Sequence, residues 1–154
     1  MAVVLADLLE EKHVTLDLRA ATRDEALREI ILTMRGPKEV RDTEKFLAEV
    51  IAREAAHTFM GDGVALPHAR TELVERIVLG IGRSRVGVPW GEEGERAYLL
   101  FLIGVPQRMI TDYLVCVGAL ARLTKDEKTR AALMKAGSAK ELVEILRTGS
   151  LVLE

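Results

Sequence analysis

The chain is poor in several features that would mark a specialised class of protein. It has one cysteine, Cys116, which excludes an internal disulfide and is typical of a small core residue in a reducing compartment. No uninterrupted apolar run approaches the roughly 20 residues that a membrane span needs. The N-terminus lacks a basic region followed by an apolar one, which is the pattern of a secretory leader. These absences predict a soluble, cytoplasmic protein.

An excess of charge of one sign is also missing. The sequence has 22 basic and 24 acidic residues, a formal net charge of -2 and no long block of one sign. A generic nucleic-acid partner is therefore not expected. With 154 residues, 49% of them hydrophobic and 30% charged, the chain fits one globular domain over residues 1–154.

The first two thirds of the sequence mix strand and helix patterns. Alternation predicts a strand over 14–18, and capping signals at Thr22 and near Asp42 open two helices. Short apolar runs at 64–66, 77–81 and 97–103 are typical of buried strands. The segment 83–95 suits an exposed turn or hairpin. Its Trp90 either packs under its own loop, the interpretation that we favour, or anchors a partner.

The last third reads as helical. Residues 109–123 are apolar almost all round, which predicts a helix buried on most of its surface. Thr124 with Glu127, and Ser138 with Glu141, have capping-box spacing, and Gly137 suits a left-handed helix end. The tail after Gly149 is expected to fray. Together the patterns predict an α/β fold, a mixed sheet flanked by helices on both faces, with the strand order left open.

The most informative stretch is Gly61-Asp62-Gly63-Val64-Ala65-Leu66-Pro67-His68-Ala69-Arg70. It places His68 behind a proline at the end of a short apolar strand, as a presented nucleophile would be. Gly61 and Gly63 allow a tight turn or a close approach to an anionic ligand.

The three histidines differ in what they can do. His13 lies in a charged segment, where a solvated surface position without a role is expected. A metal site from His57, His68 and Asp62 is conceivable, but its spacing matches no metal motif, so we expect no metal. Motifs for a serine or cysteine nucleophile are absent as well. Direct attack of His68 on phosphorus remains, with Gly61, Gly63, Arg70 and Arg53 as candidate phosphoryl-binding groups.

At this point the residues resemble a known family. Arg53-Glu54, Thr58, the run from Gly61 to Arg70, and Leu99-Leu100-Phe101 followed by Val105-Pro106 are similar to the enzyme IIA component of the bacterial phosphoenolpyruvate-dependent sugar phosphotransferase system, fructose/mannitol and nitrogen-regulatory type. The resemblance implies a mixed α/β fold and a phosphohistidine formed at His68 from the phosphocarrier protein HPr. It also implies transfer to a cysteine of a IIB component, or control of partner proteins, without a cofactor.

By the same resemblance, Arg53 is expected to stabilise the phosphorylated His68, and Thr58 to support it with a hydrogen bond. The chain departs from the family pattern at Tyr113, where members usually carry a second histidine; a tyrosine cannot become cationic. His57 is a possible substitute, although a surface imidazole is the simpler interpretation. The segment Gln107-Arg108-Met109 adds positive charge before the long helix; it could bind an anion, although a solvated arginine is the simpler interpretation.

Two hypotheses therefore remain. The first is a phosphoryl-carrying IIA domain, and the second is a IIA-like regulatory interaction module that is weakly or not phosphorylated and controls a transporter or another protein. Association with, or fusion to, a membrane transporter is compatible with both. The oligomeric state is left open.

Overall fold

A computed structural model describes residues 4–53, 58–91 and 94–153. Two short 3-10 turns, Leu5–Leu8 and Glu11–His13, precede the sheet. The strands are β1 (Val14–Thr15), β2 (Phe59–Gly61), β3 (Val64–Ala65), β4 (His68–Thr71), β5 (Val78–Pro89) and β6 (Arg96–Pro106). The helices are α1 (Arg23–Thr33), α2 (Thr43–Arg53), α3 (Ile110–Lys125), α4 (Glu127–Lys135) and α5 (Ala139–Leu153).

The sheet is organised around β6. Its order is β1-β5-β6-β3-β2, and β4 also pairs with β6. β5 runs antiparallel to β6, whereas β3 and β4 follow one another along the other side of β6 and are parallel to it. The sheet is therefore mixed, and its central strand contacts the segment that carries His68.

Each face of the sheet is covered by a separate hydrophobic core. Along β6, Phe101 and Ile103 belong to a core shared with α3, α4 and α5, whereas Leu100 and Leu102 belong to a core shared with α1 and α2. This alternation follows from the two-residue period of a strand. The predicted fold class, a mixed sheet with helices on both faces, is confirmed. None of the helices in the described ranges combines the length and apolar character required to cross a bilayer.

Both N-terminal helices begin where the sequence predicts. The hydroxyl oxygen of Thr22 accepts a hydrogen bond from the Glu25 amide, which caps α1. The carboxylate of Asp42 accepts one from the Lys45 amide at the start of α2. These caps satisfy amides that have no partner within the helix, and for that reason they mark its beginning.

Several strand bounds differ from the prediction. β1 is shorter than 14–18, although the Leu18 amide still bonds to the Arg83 carbonyl. β5 extends through much of the segment expected to be an exposed turn, and the hairpin to β6 closes with a bond from the Trp90 amide to the Glu95 carbonyl. Trp90 is buried in the α1–α2 core, as the favoured interpretation predicted.

The helix α3 is less buried than its composition suggested. Ile110, Leu114 and Val115 are 43%, 59% and 47% exposed, so the first half of α3 presents an apolar face to solvent. The prediction of a helix buried on most of its surface is wrong there, because composition shows that a helix can be covered and not which parts of it are.

Three other C-terminal predictions are corrected. The N-cap of α4 is Asp126, not Thr124, whose hydroxyl instead donates to the Leu120 carbonyl within α3. Gly137 has no left-handed backbone; its amide donates to the Glu141 carboxylate, while the Ser138 hydroxyl accepts from the Glu141 amide as predicted. Residues after Gly149 continue α5 rather than fray, and Ser150 is buried.

Two charged or titratable residues lie deeper than their sequence context indicates. His13 is 2% exposed, so the prediction of a surface imidazole is wrong. Arg83 in β5 is completely buried, and its guanidinium donates to the carbonyls of Leu16 and of residues at the end of α4, Leu133, Met134 and Ala136. Both are buried by segments distant in sequence.

Candidate functional site

The candidate nucleophile His68 is the first residue of β4. It follows Pro67 and pairs with Ile103 on β6, so it begins a strand and does not end one as the sequence suggested. The Pro67 carbonyl accepts a hydrogen bond from the Ile103 amide, which joins the bend between β3 and β4 to the central strand. The His68 side chain is half-buried at this bend.

The imidazole of His68 is oriented by the main chain. Its Nδ1 lies 3.1 Å from the carbonyl oxygen of Leu66. Because a carbonyl oxygen only accepts, Nδ1 carries the proton in this arrangement and Nε2 keeps the lone pair. That is the neutral tautomer that can act as a nucleophile through Nε2.

Tyr113 covers one side of this imidazole. The two ring centroids are 5.1 Å apart and the planes are tilted by 39°. Tyr113 is half-buried, and burial raises the pKa of its phenol, while the nearby Arg53 guanidinium lowers it by a smaller amount. The phenol therefore stays neutral at physiological pH and can donate a hydrogen bond, but it cannot supply positive charge.

A polar cavity opens at the residues that follow the candidate nucleophile His68 in β4. It has a volume of about 410 Å³ and is lined by Glu49, Arg53, Ala69, Arg70 and Gln107. Arg53 comes from the last turn of α2, Arg70 from β4, and Gln107 immediately follows β6. Both arginine side chains are exposed, so their guanidinium donors can contact an anion in the cavity.

Thr58 lies behind the bend that carries the nucleophile. Its carbonyl accepts a hydrogen bond from the Leu66 amide. The carbonyl of Leu66 in turn accepts a hydrogen bond from Nδ1 of His68. The side chain of Thr58 is buried. Thr58 thus positions the segment that orients the imidazole. His57, the proposed substitute for a second histidine, lies outside the described residues.

Gly61 and Gly63 lie in a different place from the one that phosphoryl binding would require. They flank Asp62 in the turn between β2 and β3, and all three have positive φ. Val64 pairs with Leu99 whereas His68 pairs with Ile103, four residues further along β6, which separates the turn from the nucleophile by about 13 Å. The glycines therefore form a turn and are not placed to contact a group on His68.

The other candidate chemistries are a metal site, which would include His57 outside the described residues, and a cysteine nucleophile. In the described part of the chain, no group of three or more His, Cys, Asp or Glu side chains is placed to hold a metal ion. Cys116 is buried in α3, and its burial raises the pKa of the thiol to about 11. It is protonated at neutral pH and is a poor nucleophile.

A family model matches residues 7–149 of the chain. Its description is phosphoenolpyruvate-dependent sugar phosphotransferase system, EIIA 2. The match includes the bend with His68, the position of Tyr113 and the helices on both faces. The chain belongs to this EIIA family.

Relatives of this EIIA domain occur both alone and within larger proteins. The fructose-specific EIIA component of Haloferax volcanii is 29% identical over 86% of this chain and 88% of its own length. The fructose-specific EIIABC component of Bacillus subtilis is 24% identical over 92% of this chain but only 23% of its own length. The chain thus spans about a quarter of that relative. The nitrogen regulatory protein IIA-Ntr of Neisseria meningitidis has a TM-score of 0.84 and 26% identity, covering 92% of this chain and 97% of its own.

Of two further residues that line the cavity of this EIIA domain, sequence reasoning missed Glu49 and named Gln107 only as a neighbour of Arg108. Glu49 lies one helical turn before Arg53 on α2, a spacing that could have identified it. Its carboxylate accepts a hydrogen bond from the Thr71 hydroxyl at 2.7 Å. Gln107 follows the end of β6, and only the pairing of Thr71 with Pro106 shows that it lies beside β4.

Proposed function

We propose that this EIIA domain is a phosphoryl carrier that accepts a phosphoryl group from HPr on Nε2 of His68. The observation that carries the proposal is the contact between His68 Nδ1 and the Leu66 carbonyl. It selects the tautomer with a free electron pair at Nε2 and holds the ring beside a cavity with two arginines. A neutral imidazole in a fixed orientation is what attack on phosphorus requires.

The transfer can be written as a single displacement. The Nε2 lone pair forms a bond to phosphorus while the bond between phosphorus and the donor group breaks, and its electron pair leaves with the donor. For onward transfer, a thiolate of a IIB component attacks phosphorus, and the N–P pair returns to Nε2. The proton stays on Nδ1 throughout and keeps its hydrogen bond to the Leu66 carbonyl, so the protein moves no proton of its own.

Charge stabilisation is assigned to Arg53 and Arg70. A phosphoryl group brings up to two negative charges, and guanidinium donors in a partly enclosed cavity stabilise such a group as it transfers. The amide of Gln107 is placed to add a neutral hydrogen bond. Glu49 opposes the anion, but its carboxylate already accepts from Thr71. Thr58 acts through the backbone that orients the ring.

The partners follow from the family. The Bacillus subtilis relative carries a name that joins IIA to IIB and IIC, which supports a IIB domain as acceptor, either separate or fused. The likeness to IIA-Ntr supports the other outcome, control of a partner by the phosphorylation state of His68. We propose HPr as donor in both cases and classify the activity as a protein-histidine phosphotransferase.

Tyr113 favours a second candidate function. A phenol stacked on His68 cannot give the phosphorylated ring the cationic partner that a histidine would provide. The domain would then serve as a regulatory module that is phosphorylated slowly or not at all, and that controls a transporter or another protein through this face.

Phosphorylation by purified components tests the two candidates. The protein is incubated with phosphoenolpyruvate, enzyme I and HPr, and its intact mass is followed over time. We expect an acid-labile gain of one phosphoryl group that is absent in His68→Gln. The control variant is His13→Gln, which alters a histidine outside the cavity and should keep the adduct if it folds.

The result distinguishes the phosphoryl carrier from the regulatory module. An adduct that disappears on adding a IIB domain supports the carrier. No adduct, under conditions that label another EIIA domain, would exclude the carrier and favour the regulatory module.

A further inference from the structure

A second cleft is separate from the polar cavity and shares none of its lining residues. It is formed where the two N-terminal 3-10 turns meet the beginning of β5, and its volume is about 230 Å³. Its lining residues include Asp7, Glu10, Arg76 and His13, together with apolar residues such as Leu79 and Met109. The proposed phosphoryl transfer uses none of these side chains.

The wall of the cleft contains a polar atom that the fold leaves unsatisfied. His13 is 2% exposed, and within the described residues its Nδ1 has no hydrogen-bond partner. The nearest acidic atom, Oε2 of Glu10, lies 3.4 Å away without hydrogen-bond geometry. Burial lowers the pKa of His13, so its ring is neutral. Buried polar atoms are seldom left unpaired, and a bound group that pairs with one recovers part of its desolvation cost.

The charged groups of the cleft have opposite signs and remain reachable. The side chains of Glu10 and Arg76 are 41% and 56% exposed. The guanidinium of Arg76 lies 3.5 Å from the carboxylate of Glu39, which offsets its positive charge. The two carboxylates of Asp7 and Glu10 therefore give the cleft a slight excess of negative charge. Carboxylates recognise an ammonium group, and a guanidinium recognises a carboxylate. The small volume excludes a ligand of cofactor size, since such sites are about 300 Å³ or larger.

We propose that this cleft binds a free α-amino acid. The ammonium group is held by Glu10 and Asp7 beside Nδ1 of His13, which accepts a hydrogen bond in one neutral tautomer. The carboxylate is held by Arg76, and the side chain contacts Leu79 and Met109. A simple amine would leave the guanidinium unused, and a simple carboxylate would meet two like charges.

The cleft is connected to the nucleophile by a short path. Leu79 pairs with Ile103, which pairs with His68, so the cleft and the nucleophile are two strand spacings, about 10 Å, apart on one face of the sheet. Met109 lines the cleft, and its carbonyl accepts a hydrogen bond from the amide of Tyr113, the residue stacked on His68. A ligand that contacts Met109 therefore changes the environment of His68. Its use as a signal for phosphorylation rests on the proposed function.

Binding is tested on the whole protein without any phosphotransfer. Each natural L-amino acid is added at about 10 mM, a level that reveals dissociation constants near 1 mM, while backbone amide and imidazole resonances are recorded. We expect at least one amino acid to shift the His13 ring and the Leu79 amide, and to shift the His68 ring as well. Putrescine and acetate, which carry only an amine or only a carboxylate, should bind at least about tenfold more weakly.

Substitutions of exposed side chains test these contacts without disturbing the core. Glu10→Gln and Arg76→Gln should each weaken binding about tenfold, which is the loss of one charged hydrogen bond, whereas the neighbouring Glu11→Gln should not. The site is overturned if no amino acid causes shifts, if either simple probe binds equally well, or if both variants bind normally. Binding that leaves the His68 ring unmoved overturns the coupling. None of these readouts depends on whether His68 is phosphorylated.

Discussion

Two arginines near opposite ends of β6, Arg70 and Arg83, lie in opposite environments. Near the end of β6, Arg70 is exposed beside the polar cavity. Near its beginning, Arg83 pairs with Leu99 and is completely buried, with donors directed at four main-chain carbonyls. The difference shows that an arginine is available to an anion only where the fold leaves its guanidinium exposed. The first region is suited to binding, and the second stabilises the fold.

Removing Arg83 gives the largest expected effect. Arg83→Met leaves the carbonyls of Leu133 and Ala136 at the end of α4 without their donor, and we expect a loss of about 3–5 kcal/mol in the free energy of unfolding. Urea denaturation measures it. The matched control is Arg85→Met, two residues along β5, whose exposed pair with Asp17 should contribute little. Equal effects of the two variants would contradict the distinction between buried and exposed arginines.

Removing Arg53 should affect reactivity and not stability. Arg53→Gln deletes an exposed guanidinium from the cavity, and we expect phosphorylation of His68 to slow about 100-fold, as when one preorganised donor is lost. Unfolding in urea should be unchanged. The control is Arg122→Gln on the exposed face of α3. If Arg53→Gln is phosphorylated at the normal rate, the cavity is not where the phosphoryl group is stabilised.

Substitutions of Gly61 and Gly63 test the turn between β2 and β3, which lies beside the beginning of β6. Gly61 and Gly63 both have positive φ, but only at Gly63 would a Cβ atom meet another residue, at 2.8 Å from Tyr98. We expect Gly61→Ala to cost about 1 kcal/mol and Gly63→Ala about 2 kcal/mol or more in unfolding free energy. Both variants should be phosphorylated normally. Slower phosphorylation of either would restore the glycines as phosphoryl-binding groups.

The contrast between the two ends of β6 also shows which features could be predicted from the sequence. The orientation of His68 depends on Leu66, two residues away, so the run around Pro67 carries most of the information. The caps of α1 and the two-residue period of β6 are local in the same sense. These features, together with the family resemblance, were sufficient to predict the fold class and to select His68 as the candidate nucleophile.

Burial by distant segments could not be predicted in this way. Arg83 donates to carbonyls 50 and more positions away, and the turn that contains His13 packs against α1, α5 and β5. The positive φ of the glycines suits a turn and an anion site equally, so the sequence did not distinguish the two roles. Only the register, with β3 and β4 stacked end to end along β6, separates the turn from His68.

The two tyrosines provide the last and smallest test. Tyr113 stacks on His68, while Tyr98 packs on the Gly63 turn at the opposite end of β6. Tyr113→His replaces a neutral donor by one that can become charged. A charged hydrogen bond is worth about 1 kcal/mol more than a neutral one, so we expect the phosphorylated state of His68 to live about fivefold longer.

The lifetime is measured as the decay of the phosphorylated mass after HPr is removed. Burial and the nearby Arg53 both disfavour a cation at position 113, so the gain should be larger at lower pH, where a histidine there becomes protonated. Tyr98→His, made as the control, should leave the lifetime unchanged. A lifetime that Tyr113→His does not alter would mean that the aromatic contact only shapes the pocket, and that the arginines alone stabilise the phosphoryl group.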